Sequence, residues 1–423
     1  MPNIPFPRGV RDLLPNAALF RNELLKRIES VFQGFGFLTI DTPSLESLEV
    51  LRAKNAIGEE AKLIYEFADE GIGLRYDHTV SLARYVCMHM ELQQPFKRYV
   101  IGKCWRREEP QRGRYREFMQ ADVDIVGGDA VPSDAEVLAA ACRALESIGI
   151  EYRLRLNNRK LADAAMQKMG VPAAKITAVE RAIDKLDKVG DEGVAQLLRG
   201  LGLENETVDK ITSFIATSGD NGTKMKLAAE LIGGEHESIA ELSGVLEALK
   251  PYSLHGTVDV DLSLMRGLDY YTGMVAEVGT AESGLSIGGG GRYDGLVGVY
   301  CGKPMPAVGM SIGIDRVADL LNASSSPRYT YASAFVATIK GASSSYAVGV
   351  AEALRGLGIA VDMNVASRNI SNQLAYANAL KFKYAVIIGP SEEKLGRVKL
   401  RNLVSGEESL VSVEEAAGAM AGS

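Results

Sequence analysis

The sequence has no uninterrupted apolar run of 18 residues, so no membrane-spanning helix is expected. Its opening, MPNIPFPRGVRDLLP, lacks the apolar stretch of a secretory signal. Cysteine is scarce. Cys87, Cys104, Cys142 and Cys301 stand far apart with no CxxC pair, which argues against a zinc site or a disulfide framework and fits a reducing, cytoplasmic setting. The four histidines, His78, His89, His236 and His255, show no metal-ligand spacing, so no protein-bound metal is expected. The phosphate loop GxxxxGKS or GxxxxGKT, a GxGxxG after a strand, and the zinc motif HExxH are all missing. The net charge of −7 gives no overall pull toward nucleic acid, and any such partner must be held by local patches.

One such patch is present. Residues 97–116 hold eight Lys/Arg (Lys97, Arg98, Lys103, Arg106, Arg107, Arg112, Arg114, Arg116) against two Glu. Pro110 and Gly113 mark a loop inside it. Arginine forks match phosphate oxygens and stay charged at any working pH. The run then turns apolar and acidic at Phe118, Gln120, Asp122 and Asp124. That order suits a nucleotide polyphosphate beside a small cationic or hydrogen-bonding substrate, whereas most arginine-rich loops taken alone are solvated basic hairpins, and it is the rest of the chain that favours the first reading.

At 423 residues the chain has room for two or three domains. Residues 16–35 repeat Leu19, Phe20, Leu24, Leu25, Ile28, Val31 and Phe32 at helical spacing, and a strand is expected at 37–40. Residues 99–105 and 117–126 read as strands flanking the arginine loop, an antiparallel hairpin. A helix at 134–147 and a strand at 152–156 follow. Residues 159–255 show no strand pattern and carry 12 Lys/Arg and 15 Asp/Glu, which reads as an inserted helical module. Strand character returns at 258–262 and 274–278, and another helix begins near Asp315. Residues 323–329, ASSSPRY, form a Ser/Pro linker. Beyond it, strands at 334–339, 360–364 and 385–388 alternate with helices at 345–357 and 373–380, the pattern of a small α/β domain. The expected domains are 1–158 and 256–322 for the main body, 159–255 for the insertion and 327–423 for the tail, an α+β chain overall.

Four further segments carry chemistry. Asp77 and Thr79 place a carboxylate and a hydroxyl two apart, able to hold an ammonium group or simply to end a strand. Arg266-Gly267-Leu268-Asp269-Tyr270-Tyr271-Thr272-Gly273 packs an arginine, a carboxylate and two tyrosines between glycines. Gly288–Gly291 followed by Arg292-Tyr293-Asp294-Gly295 lets backbone pass against a flat ligand. Gly309 to Arg316 reads as strand, turn and helix start.

Together these segments resemble the histidyl-tRNA synthetases, class II aminoacyl-tRNA synthetases, over essentially the whole chain. The class I signatures HIGH and KMSKS are absent. Residues 106–120 look like class II motif 2, and 309–316 like motif 3. RGLDYYTG and GGRYDGL are the signatures that set the histidine enzymes apart, and PRGVRDLLP is similar to the family's opening segment. Residues 327–423, with QLAYANAL and YAVIIGPSEEKLGRVKLRN, resemble its anticodon-binding domain. With 10 Lys/Arg against 8 Asp/Glu, this tail carries less lysine around 368–372 than the family leads one to expect. The resemblance implies a six-stranded antiparallel catalytic sheet flanked by helices, a helical insertion, an α/β tail and a homodimer. It implies activation of histidine by ATP, with magnesium bridging the phosphates, and transfer to the 3′ end of tRNA(His). Arg106 would then bind the α-phosphate, Glu108 the adenine amino group and Arg114 the γ-phosphate. Phe118 and Arg316 would sandwich the adenine. Arg266 would stabilise charge on the α-phosphate. Asp77, Thr79 and Gln120 would hold the histidine amino group, with Tyr270 beside them, and Asp124 and Tyr271 would read the imidazole. Gln111 and Arg112 would face the tRNA acceptor end. Asp124 stands where the family often has glutamate. Two binding proteins of the same superfamily are alternatives: the regulatory subunit of ATP phosphoribosyltransferase lacks the tail, and tRNA-sensing pseudo-synthetases degrade the signatures. This chain keeps both.

Overall fold

The computed structural model describes the chain except residues 1–3, 54–56, 112, 235, 266–269, 283, 323–328, 367 and 422–423. The expected catalytic Arg266, the acceptor-facing Arg112 and most of the Ser/Pro linker lie outside the described residues.

The first helix, Pro15–Gly34, follows the apolar repeat read from the sequence and buries Leu19, Leu24, Ile28 and Phe32. Strand β1 is Leu38–Thr39. Three short strands, β2 (Leu45–Ser47), β3 (Tyr65–Phe67) and β4 (Ile72–Leu74), make a small sheet in the order β2-β4-β3 that the sequence does not announce. Then come β5 (Phe96–Trp105), β6 (Glu117–Val126), β7 (Tyr152–Asn158), β8 (Thr257–Val260), β9 (Met274–Thr280), β10 (Ser286–Arg292) and β11 (Ala307–Gly313).

These strands, with β1, build one sheet in the order β1-β5-β6-β11-β10-β9-β7-β8. From β5 to β7 every neighbour pair is antiparallel, the six strands the family resemblance implies. The parallel edge strands β1 and β8 extend it to eight. The glycine run 288–291 is strand β10, in the middle of this sheet. Glycine is a poor strand former, so the pattern alone does not reveal it.

Residues 159–255 are helical wherever ordered elements occur, from Arg159–Lys168 to Glu237–Leu249. By contact density, residues Met1–Arg11 and Leu24–Leu320 form one compact unit, and Asp12–Glu23 with Leu321–Ser423 form another. The second unit has a five-stranded sheet of β12 (Ala334–Thr338), β13 (Val361–Met363), β14 (Tyr384–Ile388), β15 (Val398–Asn402) and β16 (Glu408–Val411), ordered β13-β12-β14-β15-β16. Its first three strands are parallel and its last two antiparallel. Apolar side chains cover both faces, Val336, Val350 and Leu354 on one and Phe335, Phe382 and Ile387 on the other.

In the larger unit, the helices Thr79–Met88 and Asp294–Cys301 share a core of Val80, Ala83, Val86, Tyr270, Tyr293, Leu296 and Val297. Their packing also corrects the expectation about cysteine. Cys87 and Cys301 are disulfide-bonded, with Cα atoms 5.3 Å apart. They are separated by 214 residues, and their pairing follows from helix packing that leaves no trace in local sequence.

Candidate active site

Alternate residues of a strand point to one face, so β6 presents Gln120, Asp122 and Asp124 together. The register sets Ser311 across from Asp122 and Gly309 across from Asp124 on β11, and Arg98 across from Asp124 on β5. Glycines keep this face open. A Cβ on Gly309 would lie 2.0 Å from Asp124 Oδ1. One on Gly291 of β10 would lie 2.7 Å from the Met274 carbonyl oxygen and 3.0 Å from the Tyr271 ring. The glycines thus let Asp124 and the Tyr271 ring pack directly against bare backbone.

Beside them, with Gly288, Gly289 and Gly290 of β10 in its wall, is a cavity of about 490 Å³. Of the expected site residues it is lined by Asp77, Thr79, Arg106, Glu108, Arg114, Phe118, Gln120, Tyr270, Tyr271 and Arg316. Asp77 precedes the helix Thr79–Met88 and accepts the Val80 N–H at 3.1 Å and the Tyr270 hydroxyl at 3.1 Å. Burial raises its carboxyl above the ordinary carboxylate value, against those two hydrogen bonds and the nearby charges of Arg106 and Arg98. The Tyr270 and Tyr271 rings meet edge to face at 5.1 Å. Burial, then the negative charge of Asp77, pushes both phenols up, so both stay protonated. His78 is held neutral: burial and the flanking Arg98 and Arg75 lower its pKa to about 3.

Arg106 donates to the Tyr76 carbonyl at 3.1 Å, and its guanidinium sits 5.0 Å from the centre of the Phe118 ring. Glu108 pairs with Arg114 at 3.1 Å across the loop, whose tip is closed by a backbone bridge between Gln111 and Arg114. Gln111 is exposed at that tip, away from the cavity lining. Arg316 donates to the Gly113 carbonyl at 3.2 Å and to the Ser286 carbonyl at 2.7 Å, tying the loop to β10.

The opening segment has a visible task. The Arg116 N–H donates to the Gly9 carbonyl at 2.7 Å, and a side chain at Gly9 would strike Pro110. Arg11 reaches the Tyr115 hydroxyl at 2.6 Å, Asp315 at 2.8 Å and Asp319 at 3.0 Å, while Asp315 also accepts the Met119 N–H at 2.6 Å. Gly9 and Arg11 thus brace the arginine loop and tie it to Asp315 and Asp319.

The resemblance assigns Asp124 to the imidazole. It is 2% exposed, does not line the cavity, and is held from below by Arg98 at 3.0 Å and by the Tyr293 hydroxyl at 2.5 Å. One step back on the same face, Asp122 does line the cavity. Sequence reading also passed over Glu277, Ser311 and, from the helical segment, Arg159, Glu180, Arg181 and Asp184, all of which line it. Arg159 holds Glu180 at 2.7 Å, and Arg155 of β7 pairs with Glu277. The period of two from Gln120 points to Asp122; nothing local points to the helical residues. Among the described residues, no group of three or more His, Cys, Asp or Glu could hold a metal ion.

The arrangement pairs a cationic, aromatic wall suited to a nucleotide with a carboxylate–tyrosine wall suited to an amino acid. Comparison with known proteins agrees. The family model for histidyl-tRNA synthetase matches residues 9–317, and one for an anticodon-binding domain matches residues 333–422. A histidine–tRNA ligase of Aeropyrum pernix is 39% identical over 98% of this chain and 97% of its own length. One of Korarchaeum cryptofilum is 39% identical over 94% of each. A crystal structure of histidyl-tRNA synthetase from Nostoc sp. PCC 7120 superposes with a TM-score of 0.86 at 30% identity, covering 100% of this chain and 99% of that one. With the antiparallel sheet, both signature segments and near-complete coverage in agreement, the chain belongs to the histidyl-tRNA synthetase family, aminoacyl-tRNA synthetases that ligate histidine to tRNA.

Proposed function

We propose that the cavity makes histidyl-adenylate from histidine and ATP and that the chain, as a cytoplasmic homodimer, then transfers histidine to the 3′ end of tRNA(His). The observation that carries this reading is the convergence of Asp77, Gln120 and Tyr270 with Arg106, Phe118 and Arg316 on one cavity. Asp77, Gln120 and the Thr79 hydroxyl offer acceptors for the histidine ammonium. Arg106, bonded to the carbonyl beside Asp77, can bring the α-phosphate next to the amino acid. Phe118 and Arg316 offer stacking and cation–π faces for adenine, and Glu108 an acceptor for its amino group. In the first step the histidine carboxylate attacks the α-phosphorus and pyrophosphate leaves. In the second the terminal ribose hydroxyl of tRNA attacks the activated carbonyl and AMP leaves. Fixed guanidinium groups suit this chemistry because they meet developing phosphate charge without reorganising.

Magnesium fits as a companion of the phosphates. Glu277 is a hard oxygen donor on the cavity wall, and the ion would neutralise phosphate charge. Arg266 is assigned by its motif to the α-phosphate, and Gln111 and Arg112 by theirs to the acceptor end. The test is histidine-dependent exchange of pyrophosphate into ATP, beside aminoacylation of tRNA(His). Loss of one fixed donor typically slows such a step about 10²–10³-fold. Arg266→Ala should do so while leaving histidine binding nearly intact, and wild-type exchange rates in that variant would remove the role.

A further inference from the structure

Arg11 lies outside the cavity lining, yet it joins the two elements that carry the proposed adenine slot. Phe118 stands at the start of β6, and Arg316 in the first turn of the helix Ile314–Asn322. Their chain neighbours are fastened to each other, because the Met119 N–H donates to Asp315 Oδ2 at 2.6 Å. The other oxygen of that buried carboxylate, Oδ1, accepts one nitrogen of the Arg11 guanidinium at 2.8 Å. A second guanidinium nitrogen donates to the Tyr115 hydroxyl at 2.6 Å and to Asp319 at 3.0 Å. Tyr115 donates in turn to Asp319 at 3.0 Å, and the Arg11 charge sits 3.9 Å from the centre of its ring. A carboxylate on one hydrogen bond can still turn, whereas one held at both oxygens by charge-assisted bonds keeps its place.

We propose that Arg11 is a positioning residue for ATP: by locking Asp315 and Tyr115 it fixes the gap between Phe118 and Arg316, and with it the affinity for the adenine base, without touching ATP itself. This rests on the proposed placing of adenine between those two side chains. Contact energy across such a slot is steep in distance, and a gap wider by about 0.5–1 Å forfeits a quarter to a half of it. The other grips on substrate have supports of their own. Asp77 and Tyr270 are bonded to each other, and Arg106 is anchored on the Tyr76 carbonyl. Lysine is a poor substitute at position 11, since the planar guanidinium serves Asp315 with one nitrogen and Tyr115 with another, while an ammonium is a single point.

The experiment compares wild type, Arg11→Ala and Arg11→Lys in the full-length chain. ATP and histidine binding are each measured alone by calorimetry. Adenosine and inorganic tripolyphosphate are then tested as competitors of ATP, so that base and phosphate are read separately. Misplacing a binding group by about 1 Å costs up to about 100-fold, so Arg11→Ala should weaken ATP and adenosine by about 10- to 100-fold. Histidine binding and inhibition by tripolyphosphate should stay nearly unchanged. In pyrophosphate exchange the KM for ATP should rise while kcat is kept, the mark of lost binding rather than lost chemistry. Arg11→Lys should fall between, and it carries the test if the alanine variant does not fold. Unchanged ATP and adenosine affinity would overturn the proposal. So would an equal loss for tripolyphosphate, which would place the effect at the phosphates, or for histidine, which would mean a general loosening of the fold. Calorimetry needs no turnover: if wild type binds ATP and adenosine but supports no exchange, the activation reading falls while the Arg11 comparison stands.

Discussion

Removing the Asp124 carboxylate should unfold this protein more readily than it should impair substrate recognition. Arg98 is 1% exposed, and Asp124, 3.0 Å away, is the carboxylate paired with it. Taking one partner from a buried ion pair leaves an uncompensated charge and typically costs about 3–5 kcal/mol. The Tyr293 hydroxyl, which donates to Asp124, loses its acceptor as well, adding about 1 kcal/mol. Asp124→Ala should thus lose about 4–6 kcal/mol, a large share of a typical total of about 5–15 kcal/mol. The single tryptophan, Trp105, lies at the end of β5, the strand that carries Arg98. Its fluorescence therefore follows unfolding of this sheet in urea. With a slope of about 3 kcal/mol per molar, the midpoint should move by about 1–2 M. Replacing both partners, Arg98→Met with Asp124→Leu, should recover much of the loss, because an apolar pair removes the stranded charge. A loss below about 1 kcal/mol would refute the argument. So would a folded Asp124→Ala protein whose main defect is a raised KM for histidine, which would return Asp124 to the imidazole pocket.

Three other outcomes are expected. The Asp122 carboxyl titrates near 7 when folded against 3.8 as its ordinary value. The unfolded chain therefore ionises it first, and folded stability falls as pH rises from about 4 to 7, by up to about 4 kcal/mol; Asp122→Asn should flatten that slope in thermal unfolding, and parallel pH profiles would contradict the assignment. Gly291→Ala would set a methyl against the Met274 carbonyl and the Tyr271 ring, so it should destabilise by about 1–3 kcal/mol and raise the KM for histidine more than that for ATP; wild-type behaviour in both would mean the ring does not rest there. In the tail, Arg368 stacks 4.6 Å from the Tyr376 ring centre, an arginine–aromatic surface of the kind that receives unstacked RNA bases. Arg368→Ala should lower aminoacylation at limiting tRNA and leave pyrophosphate exchange unchanged, whereas lost exchange would count against an anticodon role.

Much of the chain is legible from local sequence because the information is local. The apolar repeat of 16–35 sets a helix at Pro15–Gly34, and alternation around the arginine loop sets the hairpin of β5 and β6. The motifs name Arg106, Glu108, Arg114, Phe118 and Arg316 because each lies at a fixed short distance from a loop or a helix start. These residues do converge on one cavity, together with Asp77, Thr79, Gln120, Tyr270 and Tyr271. The glycine run announces a close approach but not a central strand, since its low strand propensity is overruled by the neighbours β9 and β11 on either side.

What the tertiary structure alone decided depends on which strand lies beside which. Asp122 and Asp124 carry the same side chain and share a face, so strand periodicity does not separate them. The register that sets Arg98 and Gly309 beside Asp124 sinks one carboxylate into an ion pair and leaves the other facing the cavity. The same holds for Cys87 and Cys301, joined by the packing of two helices 214 residues apart, and for Arg159, Glu180 and Arg181, which the fold carries to the cavity wall. Sequence determines the elements and the chemistry on each, because both arise from near neighbours along the chain. Burial, pairing and proton affinity are properties of three-dimensional surroundings, and only the assembled fold supplies those.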